Sequence, residues 1–228
     1  DENGYFYLSY YDATINDIYS VEVVESNKYD TIYQYDGSKA NGLMFDNYVF
    51  TGANIFEAEK NSMLDAVSFY TTESDVPYII YVSKNDADGK PMSGKIVHTQ
   101  SGNMSYAGYH IVELSEEILL NKGETFTVSV CLNKPGTMLI GDMFINETGR
   151  SFVCVNNDLE WIDMSTLSSG FDIAVKAFTI DNYYINIDDK IFPDEIFRNY
   201  ISECFDTNED LILSEEEISQ VTSIDVSN

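Results

Sequence analysis

Positive charge is what this sequence has least of. Twelve Lys and Arg stand against thirty-nine Asp and Glu, a net charge of −27. A field of that sign repels phosphate backbones and anionic lipid surfaces, so nucleic acid is not an expected partner. No apolar run approaches the roughly 20 residues of a membrane span, and no signal peptide opens the chain, so membrane insertion is not expected either. Histidine occurs twice, as His98 and His110, each inside a strand-like run. Nucleophilic catalysis needs a base beside the nucleophile and a group that orients the base; each His reads as a plain sheet histidine, and a Ser-His-Asp set could be drawn from any sequence of this composition. The three Cys are Cys131, Cys154 and Cys204. None has His, Lys or Arg as a near neighbour, so no activated thiol is expected. They read as buried thiols, with a Cys131–Cys154 bridge left open.

Proline and Trp are also scarce, at four and one, beside seventeen Tyr and thirteen Phe. Aromatics in that proportion suit a pleated sheet. The 228 residues, 44% of them hydrophobic, are enough for one large β domain or two smaller units. Alternation of apolar and polar residues predicts strands over 18–25, 31–36, 44–50, 53–58, 63–72, 76–83, 95–100, 108–114, 124–132, 137–144, 150–155 and 171–179. Turns at Asp86 to Gly89, Asn121-Lys122-Gly123 and Lys134-Pro135-Gly136 punctuate them. Many short strands at this spacing imply a β-sandwich or barrel rather than βαβ units.

After Ile180 the pattern changes. Ile196, Phe197, Tyr200, Ile201, Cys204 and Phe205 form a helical apolar stripe, and Ile218 and Val221 suggest a short second helix. Between the two lies Asp206-Thr-Asn-Glu-Asp-Leu-Ile-Leu-Ser-Glu-Glu-Glu217, which resembles an EF-hand calcium loop. Asp206, Asn208 and Asp210 fall at ligand positions 1, 3 and 5, the Ile212 carbonyl at 7, Ser214 at 9 through a water, and Glu217 at 12. Structural calcium is therefore expected here. Leu211 departs from the pattern at position 6, where Gly is usual, because a left-handed backbone costs another residue about 1–2 kcal/mol.

Two further resemblances frame the chain. Asn3-Gly4-Tyr5 with the aromatic run to Tyr11 resembles the closing strand of a papain-like cysteine peptidase. The order Ala53 to Ala58, Leu64 to Thr71, Ser93-Gly94, Gly108-Tyr109-His110, Leu119 to Phe126, Gly149 to Phe152 and Ala174 to Thr179 is similar to the lectin-like domain of secreted Gram-positive papain-like cysteine peptidases. That resemblance implies a jelly-roll-like antiparallel β-sandwich, a catalytic papain-like domain as partner in the same protein, and an extracellular or cell-surface location; family members can carry structural calcium. Phe192-Pro-Asp-Glu-Ile-Phe-Arg198 and the acidic loop resemble the segment that precedes leucine-rich repeats in bacterial surface proteins. The expected division is 1–17, peptidase tail; 18–180, lectin-like sandwich; and 181–228, an EF-hand-like helical segment leading to leucine-rich repeats.

The expected function is accessory: a non-catalytic region for adhesion or targeting, its partner a cell-surface glycan or protein. A sugar would pack its C–H face on an exposed aromatic ring flanked by polar groups. Trp161, among Asp, Glu and Asn, and Tyr106, in a Ser-Gly-Asn loop, are the candidates. Core packing is the competing role for Trp161. A free-standing carbohydrate-binding module and a calcium-stiffened adhesin spacer are the alternative readings.

Overall fold

A computed structural model describes residues 28–37, 41–43, 48–84, 89–142, 148–156, 160–166, 171–181 and 184–224. The expected peptidase tail at 1–17 and the strand at 18–25 lie outside the described residues. Residues 44–47 of the expected strand 44–50 and Asp86 to Asp88 of the expected turn also lie outside them. Among the described residues, most of the other expected segments become antiparallel strand. The strands are β1 Thr31–Tyr33, β2 Asn41–Leu43, β3 Phe50–Glu57, β4 Ser62–Thr71, β5 Val76–Lys84, β6 Lys95–Met104, β7 Gly108–Leu120 and β8 Thr125–Leu132. They continue with β9 Leu139–Asp142, β10 Ser151–Val155, β11 Trp161–Asp163, β12 Asp172–Ile173, β13 Lys176–Ile180, β14 Tyr184–Asn186 and β15 Ile212–Ser214. Two helices, α1 Glu195–Phe205 and α2 Glu215–Gln220, flank β15.

A four-stranded sheet, β1-β13-β4-β7, faces a six-stranded one, β11-β10-β3-β8-β5-β6, and a three-stranded sheet, β12-β9-β2, lies beside them. Period-two alternation fills the space between. On β8, Phe126, Val128, Val130 and Leu132 point inward, where they meet Phe56, Val67, Ile80, Val82 and Leu120. Tyr33 brings the four-stranded sheet into the same cluster, edge-on to Phe126 at a centroid distance of 5.4 Å. Burying each such aromatic is worth about 2–3 kcal/mol, which is why this order of apolar positions selects a sandwich.

One expected strand, 171–179, is split. Ile173 belongs to β12, paired with β9, while Lys176 opens β13, paired with β4. The crossing between sheets is held by Asn54, fully buried on β3, whose amide donates to the carbonyls of Ile173 and Val175 at 2.8 Å each. Ser151 completes the knot: its hydroxyl donates to Asn54 Oδ1 at 2.5 Å and accepts from Ile173 N–H at 3.1 Å. Beside it Gly141 is obligatory, since a Cβ there would stand 2.3 Å from the Asp172 carbonyl oxygen.

β7 extends beyond the expected 108–114 because its far half pairs again with β4 after a register shift between Leu64 and Ala66. The Gln100 side chain, reaching from β6, donates to the Glu113 carbonyl at 3.0 Å and accepts from Ser115 N–H at 2.8 Å. It serves as a surrogate peptide along β7, the edge strand of its sheet among the described residues.

The open disulfide question closes here. Cys131 on β8 and Cys154 on β10 both stand opposite Thr51, on either side of β3. Two strand spacings, roughly 9–10 Å, exceed the reach of a disulfide. Both are buried and not disulfide-bonded, whereas Cys204 is exposed, contrary to the expectation for it. On α1 only Ile201 is fully buried, and Ile196 is 81% exposed. The Ile196–Tyr200–Cys204 row thus marks the outer margin of a stripe centred on Phe197, Ile201 and Phe205.

Residues beyond the sandwich have a small apolar cluster of their own, Ile187, Ile201 and Leu213, with Ile185, Phe192, Phe197, Tyr200, Phe205 and Ile218 against it. This unit meets β7 through exposed polar contacts, Lys190 to Glu116 at 3.0 Å and Tyr184 to Glu117 at 3.3 Å. Such contacts contribute little individually.

Candidate functional site

The acidic loop is wound by its own side chains. Asp206, 6% exposed at the end of α1, accepts the N–H groups of Asp210 at 3.1 Å and Leu211 at 2.9 Å, one on each carboxylate oxygen. Asn208 Oδ1 also accepts from Asp210 N–H, at 3.2 Å, and Asp210 Oδ1 from Ile212 N–H, at 2.8 Å. Leu211 takes the left-handed backbone expected of position 6, with φ of 62°. Its side chain is 59% exposed and so contributes little packing. Leu211→Gly is therefore expected to raise stability by about 1 kcal/mol, read as a higher urea midpoint; an unchanged midpoint would mean that the loop relaxes the strain elsewhere.

Glu217 behaves differently from a ligand in waiting. One carboxylate oxygen accepts the N–H and hydroxyl of Thr207, both at 2.7 Å. The other accepts the N–H of Ser214 at 2.9 Å and its hydroxyl at 2.8 Å. Ser214 in return caps α2, accepting from Glu217 N–H to form a capping box. Four donors occupy all four acceptor positions of this carboxylate. Hydrogen bonds from the Ser214 backbone and the Thr207 hydroxyl lead the causes that hold its pKa down to about 2, against an ordinary 4.5. A depressed carboxyl pKa stabilises the fold fully above the unfolded value and ceases to do so as pH falls through the folded one. Amide exchange protection at Thr207 and Ser214 is therefore expected to fade between pH 4.5 and about pH 2. Loss of protection well above that window would contradict the clasp. Among the described residues no three Asp, Glu, His or Cys converge closely enough to share an ion. The backbone carries the wind that a calcium loop needs, while the carboxylate at position 12 faces donors.

The two aromatic candidates stand far apart. Trp161 is half-buried on β11, one edge of the six-stranded sheet, where it pairs with Cys154. Tyr106 is 80% exposed in the turn after β6, the opposite edge. Five strand spacings, about 24 Å, separate the edges, so the two do not form one site. The Tyr106 carbonyl is held by the Thr71 hydroxyl at 3.2 Å, which also contacts His110 Nε2 at 2.8 Å. Burial pushes the His110 imidazole below its ordinary pKa, consistent with a structural part of the sheet. His98 is 9% exposed and contacts Gln100 Oε1 at 3.2 Å.

A better-formed aromatic surface lies on the outer face of the four-stranded sheet. Tyr70 and Tyr109 are cross-strand partners on β4 and β7, their centroids 4.9 Å apart and their planes inclined at 47°. Next to them Lys176 Nζ donates to Asp36 Oδ2 at 2.9 Å and Gln34 Oε1 at 2.7 Å. The signal was present in sequence: Phe69-Tyr70 and Tyr109-His110 place aromatic rings on both faces of expected strands, so one of each pair must face outward.

The family model for the lectin-like domain matches residues 32–179. The chain belongs to that family. The matched span runs from β1 into β13, and α1 and α2 follow it in the chain. Among solved structures, a clostridial cysteine protease, Cwp84, after propeptide cleavage is 26% identical with a TM-score of 0.52, over 65% of this chain and 39% of that one. A second structure is described as the cysteine protease and lectin-like domains of Cwp84, a surface layer associated protein of Clostridium difficile; it is 26% identical with a TM-score of 0.49, over 60% of this chain and 32% of that one. The chain thus spans less than two fifths of these relatives' length. No curated protein matches it. The likeness concerns the lectin-like domain and not the catalytic domain. Among the described residues no helix is long and apolar enough to cross a membrane.

Proposed function

We propose that the chain is the non-catalytic accessory region of a secreted, surface-directed papain-like cysteine peptidase. The observation that carries this reading is the lectin-like sandwich, similar at 26% identity to a protein whose structure holds protease and lectin-like domains together. The module tethers a catalytic domain of the same protein to a surface, raising its effective concentration there. The unit around α1 and α2 acts as a joint toward further surface-protein segments such as leucine-rich repeats. The test is a panel of fluorogenic peptides offered to the chain alone and, in parallel, retention of the chain on Gram-positive cell envelopes. The expected outcome is retention without hydrolysis; hydrolysis by this chain, or failure to bind any envelope, would overturn the reading.

Calcium enters as a weak ligand of the joint. Asp206, Asn208, Asp210, the Ile212 carbonyl, Ser214 through a water and Glu217 would hold it, and Glu217 would first have to release Thr207 and Ser214. That competition places the affinity with the weak extracellular modules, at a Kd of about 1 mM. At that affinity, about 10 mM calcium should stabilise the chain by about 1.4 kcal/mol over chelator. A melting temperature unmoved by calcium would remove the ion from this account.

A further inference from the structure

We infer that the outer face of the four-stranded sheet is a binding platform for a neutral saccharide, laid across Tyr70 and Tyr109. This deepens the surface-directed reading by naming the face and the chemistry it recognises. The register sets the platform out. Tyr70 and Tyr109 stand side by side because β4 and β7 pair there, and alternation turns them outward while their neighbour Phe69 enters the core. Tyr109 is 42% exposed although hydrophobic side chains of its size elsewhere on β4 and β7 are mostly buried. Two rings inclined at 47° make a shallow trough, and a pyranose packs its C–H face against such a surface. One row along the sheet, Lys176 is bound to Gln34 and to Asp36. Alternate residues are roughly 7 Å apart along a strand, the breadth of one sugar ring, so this row, with Gln34 exposed on it and pinned by Lys176, borders a sugar seated on the rings.

Preorganisation favours this occupant over a looser one. The Lys176 and Asp36 side chains are only 15% and 9% exposed although they lie on the outer face. Their donors and acceptors are held still before any ligand arrives, so little side-chain entropy is lost on binding. Charge narrows the choice further. The net charge of −27 repels acidic polysaccharides. A neutral, hydroxyl-rich ring escapes that repulsion.

The test uses the whole chain on an array of neutral gluco-, galacto-, manno- and N-acetylglucosamine oligosaccharides, beside uronic-acid, sulfated and free-amino ones. Binding to at least one neutral series is expected, with Tyr109→Ala and Tyr70→Ala each weakening it by about 10-fold through loss of a ring face. Tyr109→Phe keeps the ring and should retain binding within about 3-fold, which guards against a trivial folding defect in the Ala variants. Trp161→Ala should leave binding unchanged. The inference is overturned by an array silent for neutral sugars, by binding confined to charged ones, by binding that survives Tyr109→Ala, or by binding lost with Trp161→Ala. It is also overturned if light scattering shows a dimer that Tyr109→Ala disperses, because the face would then belong to a second copy. A silent array with envelope retention intact would sink the platform and leave the accessory role standing.

Discussion

Asn54→Ala is expected to lower the unfolding free energy by about 3–5 kcal/mol, because it strands several buried polar groups at once. The side chain is wholly buried, and its amide is bonded to the Ile173 and Val175 carbonyls where the chain leaves one sheet for another. Removing it takes the side-chain donor from the Val175 carbonyl, leaves the Ile173 carbonyl with the Val175 N–H alone at 2.8 Å, and takes the acceptor from the Ser151 hydroxyl. Each orphaned group costs about 1–3 kcal/mol when it stays buried. Asn54→Asp should do no better, since a carboxylate cannot donate to two carbonyls. Urea denaturation measures the effect; a loss under about 1 kcal/mol would show that Ser151 alone holds the crossing.

Phe126→Ala is expected to cost about 3–5 kcal/mol for a different reason, the cavity left in a close-packed core. Phe126 is 1% exposed and packs against Tyr33, and against Phe56 at a centroid distance of 5.5 Å. Its neighbours are themselves constrained. The Tyr33 hydroxyl accepts the Glu59 N–H at 3.1 Å, so the ring is not free to fall into the void. Phe126→Leu should recover more than half of the loss, since most of the volume returns. If Ala and Leu proved equally damaging, shape complementarity of the aromatic cluster rather than cavity volume would be the governing factor.

The two predictions concern residues of unequal visibility in the sequence. Phe126 sits in an alternating run, and period two alone puts it inside. Asn54 reads as an interruption of such a run, and its partners lie 119 and 121 residues away. Nothing local distinguishes it from a solvent-facing Asn. The same limit explains the segment 171–179, read as one strand: every residue in it suits a strand, but the strand changes sheets midway, and only Asn54 and Ser151 mark the place. In α1 the apolar positions fit two adjacent stripes, and which of them is buried depends on where Ile187 and Leu213 arrive.

The loop shows both sides of this division within twelve residues. Its turn chemistry is local: Asp206, Asn208 and Asp210 at alternate positions accept the following N–H groups, and Leu211 takes the left-handed φ that position 6 asks for. The direction of Glu217 is not local in that sense. Spacing puts it at the last ligand position, but Thr207 and Ser214 present four donors to it, and donors already in place determine where a carboxylate points.

By itself the sequence determined what its short-range periodicities encode: an antiparallel sandwich built from alternating strands, a helix and acidic loop after it, and the motif order that resembles lectin-like domains. Only the tertiary structure decided which tyrosines share a face, where the chain crosses between sheets, and why Cys131 and Cys154 remain apart. Those are relations between residues on different strands, set by strand order and register. A register shift of one residue would turn the paired tyrosines and Asn54 to opposite faces without altering the pattern within any strand.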